Sequence, residues 1–242
     1  MLTNLLIRVK IISMESNKIK HIAFIMDGNR RWAVENGLEK MEGHTKGVEN
    51  FKNIVEICGN KGIPQITFWA LSTENLKNRG DAELKHLFKL LGQIRDYLKM
   101  FVEKEVSIKY IGDLTKLPTA LRTILKDLEY KTKDHKKMVV TLAINYGGKD
   151  EILRMVKNVV SQVEKMNQIS EKVINSVIDT GFLTPVDMII RTGGHKRLSG
   201  FLPWIADYSE LYFTDKKWPE FDEVELDKAL NWFYEQQRNF GK

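Results

Sequence analysis

Asp27-Gly28-Asn29-Arg30-Arg31-Trp32 packs a carboxylate, a carboxamide, two guanidinium groups and an aromatic ring into six residues. A short apolar run, Ile22 to Met26, precedes them, with the length and branching of a buried strand. Asp-Gly-Asn is a strong turn signal. The spacing therefore predicts a strand end, a tight turn and the start of a helix. N–H groups at a helix start and arginine forks hold phosphate oxygens, and a carboxylate holds a divalent cation. The ordinary alternative is a turn aspartate beside a solvated arginine pair.

Other polar clusters also follow strand-like runs. Ser72-Thr73-Glu74-Asn75 follows Gln65–Leu71, Asn145-Tyr146-Gly147-Gly148 follows Met138–Ile144, and the loop Arg191 to Ser199 follows Val186–Ile190. The candidate acids are Asp27, Glu74 and Glu210; the candidate cations are Arg30, Arg31, Lys40, Arg191 and Arg197; Asn29, His44, Asn75 and Ser199 are neutral donors. Cations outnumber acids, so the set suits an anion. Its arginines form two groups far apart in sequence, which suits two phosphate-bearing groups. There is no nucleophile elbow, no P-loop and no histidine spacing for a metal.

The elements that must position these residues alternate strand and helix. Helices are expected over His44–Asn60, Asp81–Val102, Pro118–Lys133, Lys149–Glu164, Ser170–Asp179 and Glu223–Gln237, with a loop over Asn36–Gly43. Further strands are expected at Ser107–Ile111 and Glu210–Thr214. This alternation predicts an α/β fold: one domain, a largely parallel central sheet covered by helices. Ligands in such sheets sit at the carboxyl ends of strands, where all four clusters are expected to meet. The stripe Leu84, Leu87, Phe88, Leu91, Ile94, Leu98, Phe101 is mostly packing, and is long enough to line an apolar tunnel as well.

The chain has 242 residues and a formal charge of +6. The charge suits anionic ligands, a membrane surface or nucleic acid without choosing among them. Nucleic acid is disfavoured because the basic residues sit at strand ends among acids rather than along a stripe with aromatics. Cys58 is the single cysteine and falls on an apolar helix face. No apolar run is long enough to cross a bilayer. Residues 1–13 read as an extension, too interrupted for a secretory signal, and 14–242 as the catalytic domain. The reading is of a cytoplasmic protein, with peripheral membrane contact for product release left open.

Met26 to Ala33, MDGNRRWA, resembles the signature of the cis-prenyltransferases, the undecaprenyl diphosphate synthase family. The resemblance implies that family's fold, with an apolar tunnel, and a homodimer. It implies a Mg²⁺-dependent transferase that condenses isopentenyl diphosphate onto an allylic diphosphate, usually farnesyl diphosphate. The product is a Z-polyprenyl diphosphate for lipid-carrier synthesis. By matching motifs, Asp27 holds Mg²⁺ and Glu210 is the second acid associated with it. Gly28, Asn29, Arg30, Arg31 and Trp32, with Lys40 and His44, cradle the allylic diphosphate. Ser72, Thr73, Glu74 and Asn75 match the run at the reaction centre, with Leu76 and Asn78 beyond it. Arg191, Arg197, Leu198 and Ser199 match the isopentenyl diphosphate site. The family's proposed proton acceptor falls on Asn75. A neutral carboxamide is a poor base, so Asn75 is read as orienting substrate, with a phosphate oxygen as acceptor. Ala70 is small where the family's tunnel passes. The apolar stretch Phe201 to Phe213 is read as an interface.

The chain departs from that pattern in four places. Lys40 replaces an arginine and loses its fork. Leu76-Lys77-Asn78-Arg79-Gly80 replaces Trp-x-Arg-Pro, so Arg79 falls one place late. His195 replaces an acid, and Asn239 the arginine of a terminal Arg-x-Gly. Two other readings compete. A phosphotransferase of the haloacid dehalogenase type needs an aspartate where Ile25 stands. A non-catalytic partner subunit would be expected to lack Asp27.

Overall fold

Successive residues of a strand face opposite layers, so a strand apolar at every position must be covered on both sides. Ile22–Ile25 is such a run, and the whole strand His21–Ile25 is buried at all five positions. The structure, a computed structural model, describes residues 18–238. The 1–13 extension, Asn239 and Gly241 lie outside the described residues.

Six strands form one sheet: β1 (His21–Ile25), β2 (Gln65–Ser72), β3 (Val106–Ile111), β4 (Met138–Tyr146), β5 (Met188–Arg191) and β6 (Glu210–Phe213). Their order is β3-β4-β2-β1-β5-β6, and every neighbouring pair is parallel. The helices are α1 (Asn29–Glu35), α2 (Lys40–Asn60), α3 (Thr73–Asn78), α4 (Asp81–Gln93), α5 (Leu98–Glu103), α6 (Thr119–Thr132), α7 (Gly148–Gln162), α8 (Glu171–Val177) and α9 (Glu223–Glu235). None is long and apolar enough to cross a membrane.

Alternation divides the sheet between two cores. Ile22, Phe24, Ile66, Phe68, Val140, Leu142, Met188 and Ile190 face the larger one. Its centre is aromatic: Phe24 stacks on Phe68 at 5.0 Å, and Trp218 tilts against both. Ala23, Ile25, Ala143 and Ile189 face the smaller core with Phe201, Leu202 and Ile205. Phe201, Leu202 and Ile205 are thus inside the molecule, whereas Tyr208 and Leu211 of the stretch Phe201 to Phe213 stay exposed.

Three element boundaries differ from expectation. The helix expected from His44 starts at Lys40, where the Glu42 carboxylate accepts the Glu39 N–H at 2.9 Å. Gly43 marks a close crossing rather than a loop: a Cβ there would lie 2.0 Å from the Asn29 carbonyl oxygen. The long helix expected over Asp81–Val102 is two helices, with a 3₁₀ turn at Ile94–Tyr97 just after Gly92, a poor helix former. The polar run after β2 forms α3, capped by Ser72 Oγ on the Asn75 N–H at 3.0 Å.

Candidate active site

A tight turn presents Asp27. Its N–H bonds to the Ile25 carbonyl at 2.9 Å, which closes the strand end. Gly28 follows at φ 107, where an L side chain is strained, and a Cβ there would come within 2.8 Å of Lys217 Cβ. The Asp27 carbonyl accepts from Trp218 N–H at 3.0 Å and from Thr192 Oγ at 2.7 Å. The backbone is thus held from two sides, and the carboxylate is left facing open space.

Two arginines meet that carboxylate. Arg191 Nη2 lies 3.0 Å from Oδ2, and Arg31 Nη2 lies 3.4 Å from Oδ1. Arg31 also donates to the Gly193 carbonyl at 2.7 Å. Arg191 is the last residue of β5 and is buried; it donates to Ser199 Oγ at 3.1 Å and to the Arg197 carbonyl. Ser199 takes φ 54, rare for a residue with a side chain, in the loop that reaches the site.

Arg30 and Arg31 are adjacent on α1, but a helix turns about 100° per residue, so they point apart. Arg31 goes to Asp27. Arg30 goes towards α4, where Arg79 and His44 also converge. The two arginine groups of the sequence are therefore re-sorted in space: Arg31 joins Arg191, and Arg30 joins Arg79. His44 is buried beside Arg79. Burial, then the Arg79 charge, hold its pKa down at about 4, so the ring is neutral near pH 7.

These groups line one cleft of about 630 Å³. Of the sequence-predicted residues it brings together Asp27, Gly28, Asn29, Arg30, Arg31, His44, Ser72, Glu74, Asn75, Arg191, Arg197 and Ser199, with His195. Trp32, Lys40, Thr73, Leu76, Asn78 and Leu198 are not in its wall. Lys40 and Asn78 are exposed, and Thr73 is buried. Leu76 and Leu198 pack against the two cores. The polar end of β4, which runs two residues further than expected, also stays out of the wall: Asn145 is buried and donates to the Asp113 carbonyl at 2.8 Å. Glu210 is placed apart from Asp27. It opens β6 level with Met188, whereas Asp27 follows Ile25, which is level with Arg191. Three residues of strand, roughly 10 Å, separate the two levels.

Trp69 and Arg79 line the cleft and were not singled out as site residues from the sequence. Register shifts between Trp69 and Ser72 irregularise the end of β2. Trp69 stacks on Phe201 at 4.8 Å, and its Nε1 donates to the Tyr146 carbonyl at 3.1 Å. The sequence signal for Trp69 was its place near the carboxyl end of a central strand. For Arg79 it was the displaced arginine of the departing motif.

A narrow apolar cavity of about 70 Å³ adjoins the cleft, sharing Met26, Asn29 and His44 with it and continuing past Ala70, Leu87, Leu91 and Trp218. It marks an apolar path inward but has no room for a polyprenyl chain, so an open tunnel is not seen.

No cluster of three metal-ligating side chains occurs among the described residues. The donor set nevertheless fits Mg²⁺, which is commonly held by one or two carboxylates with substrate phosphates and water. Asp27 supplies one cleft-facing carboxylate, and Asn29 Oδ1 is a buried oxygen with no partner.

The family described as "Putative undecaprenyl diphosphate synthase" matches residues 25–241. An isoprenyl transferase of Treponema denticola is 40% identical over 227 residues, 93% of this chain and 99% of that one. A tritrans,polycis-undecaprenyl-diphosphate synthase (geranylgeranyl-diphosphate specific) of Methanopyrus kandleri is 39% identical over 233 residues, 92% of this chain and 84% of that one. The crystal structure of lavandulyl diphosphate synthase from Lavandula x intermedia, in complex with dimethylallyl diphosphate, superposes with a TM-score of 0.90 at 31% identity, covering 94% of this chain and 100% of that one. The parallel sheet, the cleft at its carboxyl edge and these likenesses agree, and the chain belongs to the undecaprenyl diphosphate synthase family of cis-prenyltransferases.

Proposed function

We propose that this cleft joins isopentenyl diphosphate to an allylic diphosphate and, by repetition, makes a Z-polyprenyl diphosphate for lipid-carrier synthesis. The observation that carries the reading is the convergence of two cationic groups in one cleft that narrows into an apolar cavity. A substrate with a long apolar tail places its head on the side that adjoins that cavity, with Arg30, His44, Arg79 and Asn29. The five-carbon diphosphate then takes Arg191, Arg197 and Ser199.

In the reaction the allylic C–O bond breaks, a C–C bond forms to the isopentenyl unit, and that unit loses a proton. Asp27 would hold Mg²⁺, which when bound would supply charge stabilisation for the departing diphosphate. Arg30 stabilises the same charge from α1. Arg191 keeps Asp27 fixed and presents Ser199. Asn75 orients the isopentenyl unit, and a phosphate oxygen takes the proton. Glu210 is given no part in the cleft of its own chain.

The test is incorporation of labelled isopentenyl diphosphate into a solvent-extractable product, with farnesyl and geranylgeranyl diphosphate compared as starters. Incorporation that stops with EDTA and returns with Mg²⁺ is expected. None with either starter overturns the reading. A second copy of the chain is proposed to cover the exposed apolar face of α7, formed by Leu153, Val156 and Val160. Light scattering at micromolar concentration is expected to give a dimer mass. Product release at a membrane is proposed as a peripheral contact, read by vesicle sedimentation.

A further inference from the structure

Glu83 is a carboxylate that neither the motifs nor the likenesses assign. It lies in the first turn of α4, behind the cleft wall. Its Oε1 is 2.5 Å from Arg79 Nη1 and 3.0 Å from His44 Nε2. Its Oε2 is 3.8 Å from Arg30 Nη1. Arg79 Nη1 is itself 3.1 Å from His44 Nε2. Three elements are tied to a fourth through this one side chain: α1 by Arg30, α2 by His44 and the end of α3 by Arg79. All three partners line the cleft, and Glu83 does not.

The charges make the arrangement selective. Two guanidinium groups would not gather at one corner beside a neutral imidazole without an anion between them. Glu83 is that anion in the free protein. Its side chain is 22% exposed and that of Arg79 16%, so the pair is screened far less than a surface pair. Arg79 Nε is buried with no partner, leaving donor capacity beyond what Glu83 takes. The corner adjoins the apolar cavity, because His44 lines both.

We propose that Glu83 is a positioning residue: it holds Arg79, Arg30 and His44 converged on the place where the head of the longer, allylic diphosphate binds. This rests on reading the cleft as a prenyl-transfer site. Arg79, one residue later than the family pattern places its arginine, is brought to the cleft by this pairing. Glu83 touches no substrate, and its effect is on where the donors stand. An i,i+4 ion pair that merely steadies two short helices would have the same distances, so the test must separate the two roles.

The experiment compares wild type, Glu83→Gln, Glu83→Asp and Arg79→Lys by steady-state kinetics, thermal melting and calorimetric binding of inorganic pyrophosphate. Glu83→Gln keeps the shape and removes the charge. It is expected to raise the KM for the allylic diphosphate about tenfold, the scale of one charge-assisted hydrogen bond. The KM for isopentenyl diphosphate and kcat should each move less than about threefold, and pyrophosphate binding should weaken in parallel. Glu83→Asp should recover part of the loss. An unchanged allylic KM overturns the proposal. So does a fall in melting temperature with both KM values rising together, which marks a structural pair. If wild type transfers no prenyl group yet Glu83→Gln weakens pyrophosphate binding, the prenyl-transfer reading fails and the positioning role stands. If wild type transfers and Glu83→Gln matches it throughout, the positioning role fails alone.

Discussion

β5 carries an acid–arginine cluster at each end, and the two differ in what their oxygens are left to do. At the carboxyl end Asp27 meets Arg191 and Arg31 in the wall of a cleft. At the amino end Asp187 accepts the N–H groups of Lys20 at 2.7 Å and His21 at 3.0 Å, and Arg238 Nη1 at 2.8 Å. Glu210 belongs to this second cluster, 3.9 Å from Arg238 Nε. Both clusters have the same ingredients. Asp187 is engaged by backbone and side-chain donors from two segments and lines none of the cavities described above. Among the described residues the Asp27 carboxylate is engaged by two side chains, and it opens onto about 630 Å³. An acid paired with an arginine is thus no sign of a site; spare capacity facing a cavity is.

Exchanging the two acids for alanine gives the sharpest break. Asp27→Ala is expected to lower kcat on the order of 10³-fold, the loss of charge stabilisation at the leaving group. Its melting temperature should stay near wild type, since the residue sits at a strand end. A variant that keeps a substantial fraction of the rate in saturating Mg²⁺ would put the metal elsewhere. Asp187→Ala should do the reverse. It removes the acceptor of two N–H groups and one partner of the Arg238 guanidinium, a cost of about 2–4 kcal/mol. Urea unfolding would show this, with KM for both substrates close to wild type. A kinetic collapse without loss of stability would show that the amino-end cluster serves the reaction.

The same contrast explains what could be read from the sequence. Strand positions and helix alternation follow from apolar runs and turn residues, so the parallel sheet and the strand-end position of Asp27, Ser72 and Arg191 were legible. Side-chain direction was not. Arg30 and Arg31 look like one group until the helix separates them. Asn145, expected in a strand-end turn like Asp27, is the second-last residue of β4 and is turned inward onto the Asp113 carbonyl. The motif assigns Glu210 to Mg²⁺, yet its level in the sheet relative to Asp27 depends on strand register, which no local pattern encodes. Glu83 lay unmarked in the expected helix, because its partners come from elements 39 and 53 residues earlier and from the turn just before it.

The smallest effect near neutral pH comes from two buried histidines, one in each region. His21 is enclosed at the start of β1: Nδ1–H donates to the Thr184 carbonyl at 2.8 Å, and Nε2 accepts from Thr67 Oγ at 2.8 Å. Burial holds its pKa down at about 4, as it does for His44 in the cleft wall. In the unfolded chain both rings titrate near 6.5. The sign follows. Between about 4 and 6.5 the unfolded state binds more protons, so stability is full above 6.5 and falls as pH drops towards 4. Each ring contributes up to ~3 kcal/mol across that window and almost nothing at pH 7. Urea unfolding at pH 7, 6 and 5 should show the decline, and the variants should divide it. His21→Gln is expected to flatten part of it, to cost stability at pH 7 through its lost hydrogen bonds, and to leave the KM values alone. His44→Gln should flatten the other part and raise the KM of the allylic substrate, because its ring faces the cleft. Equal kinetic effects from both variants would mean that the two ends of the sheet are coupled, and that the division between a packed cluster and a working one is wrong.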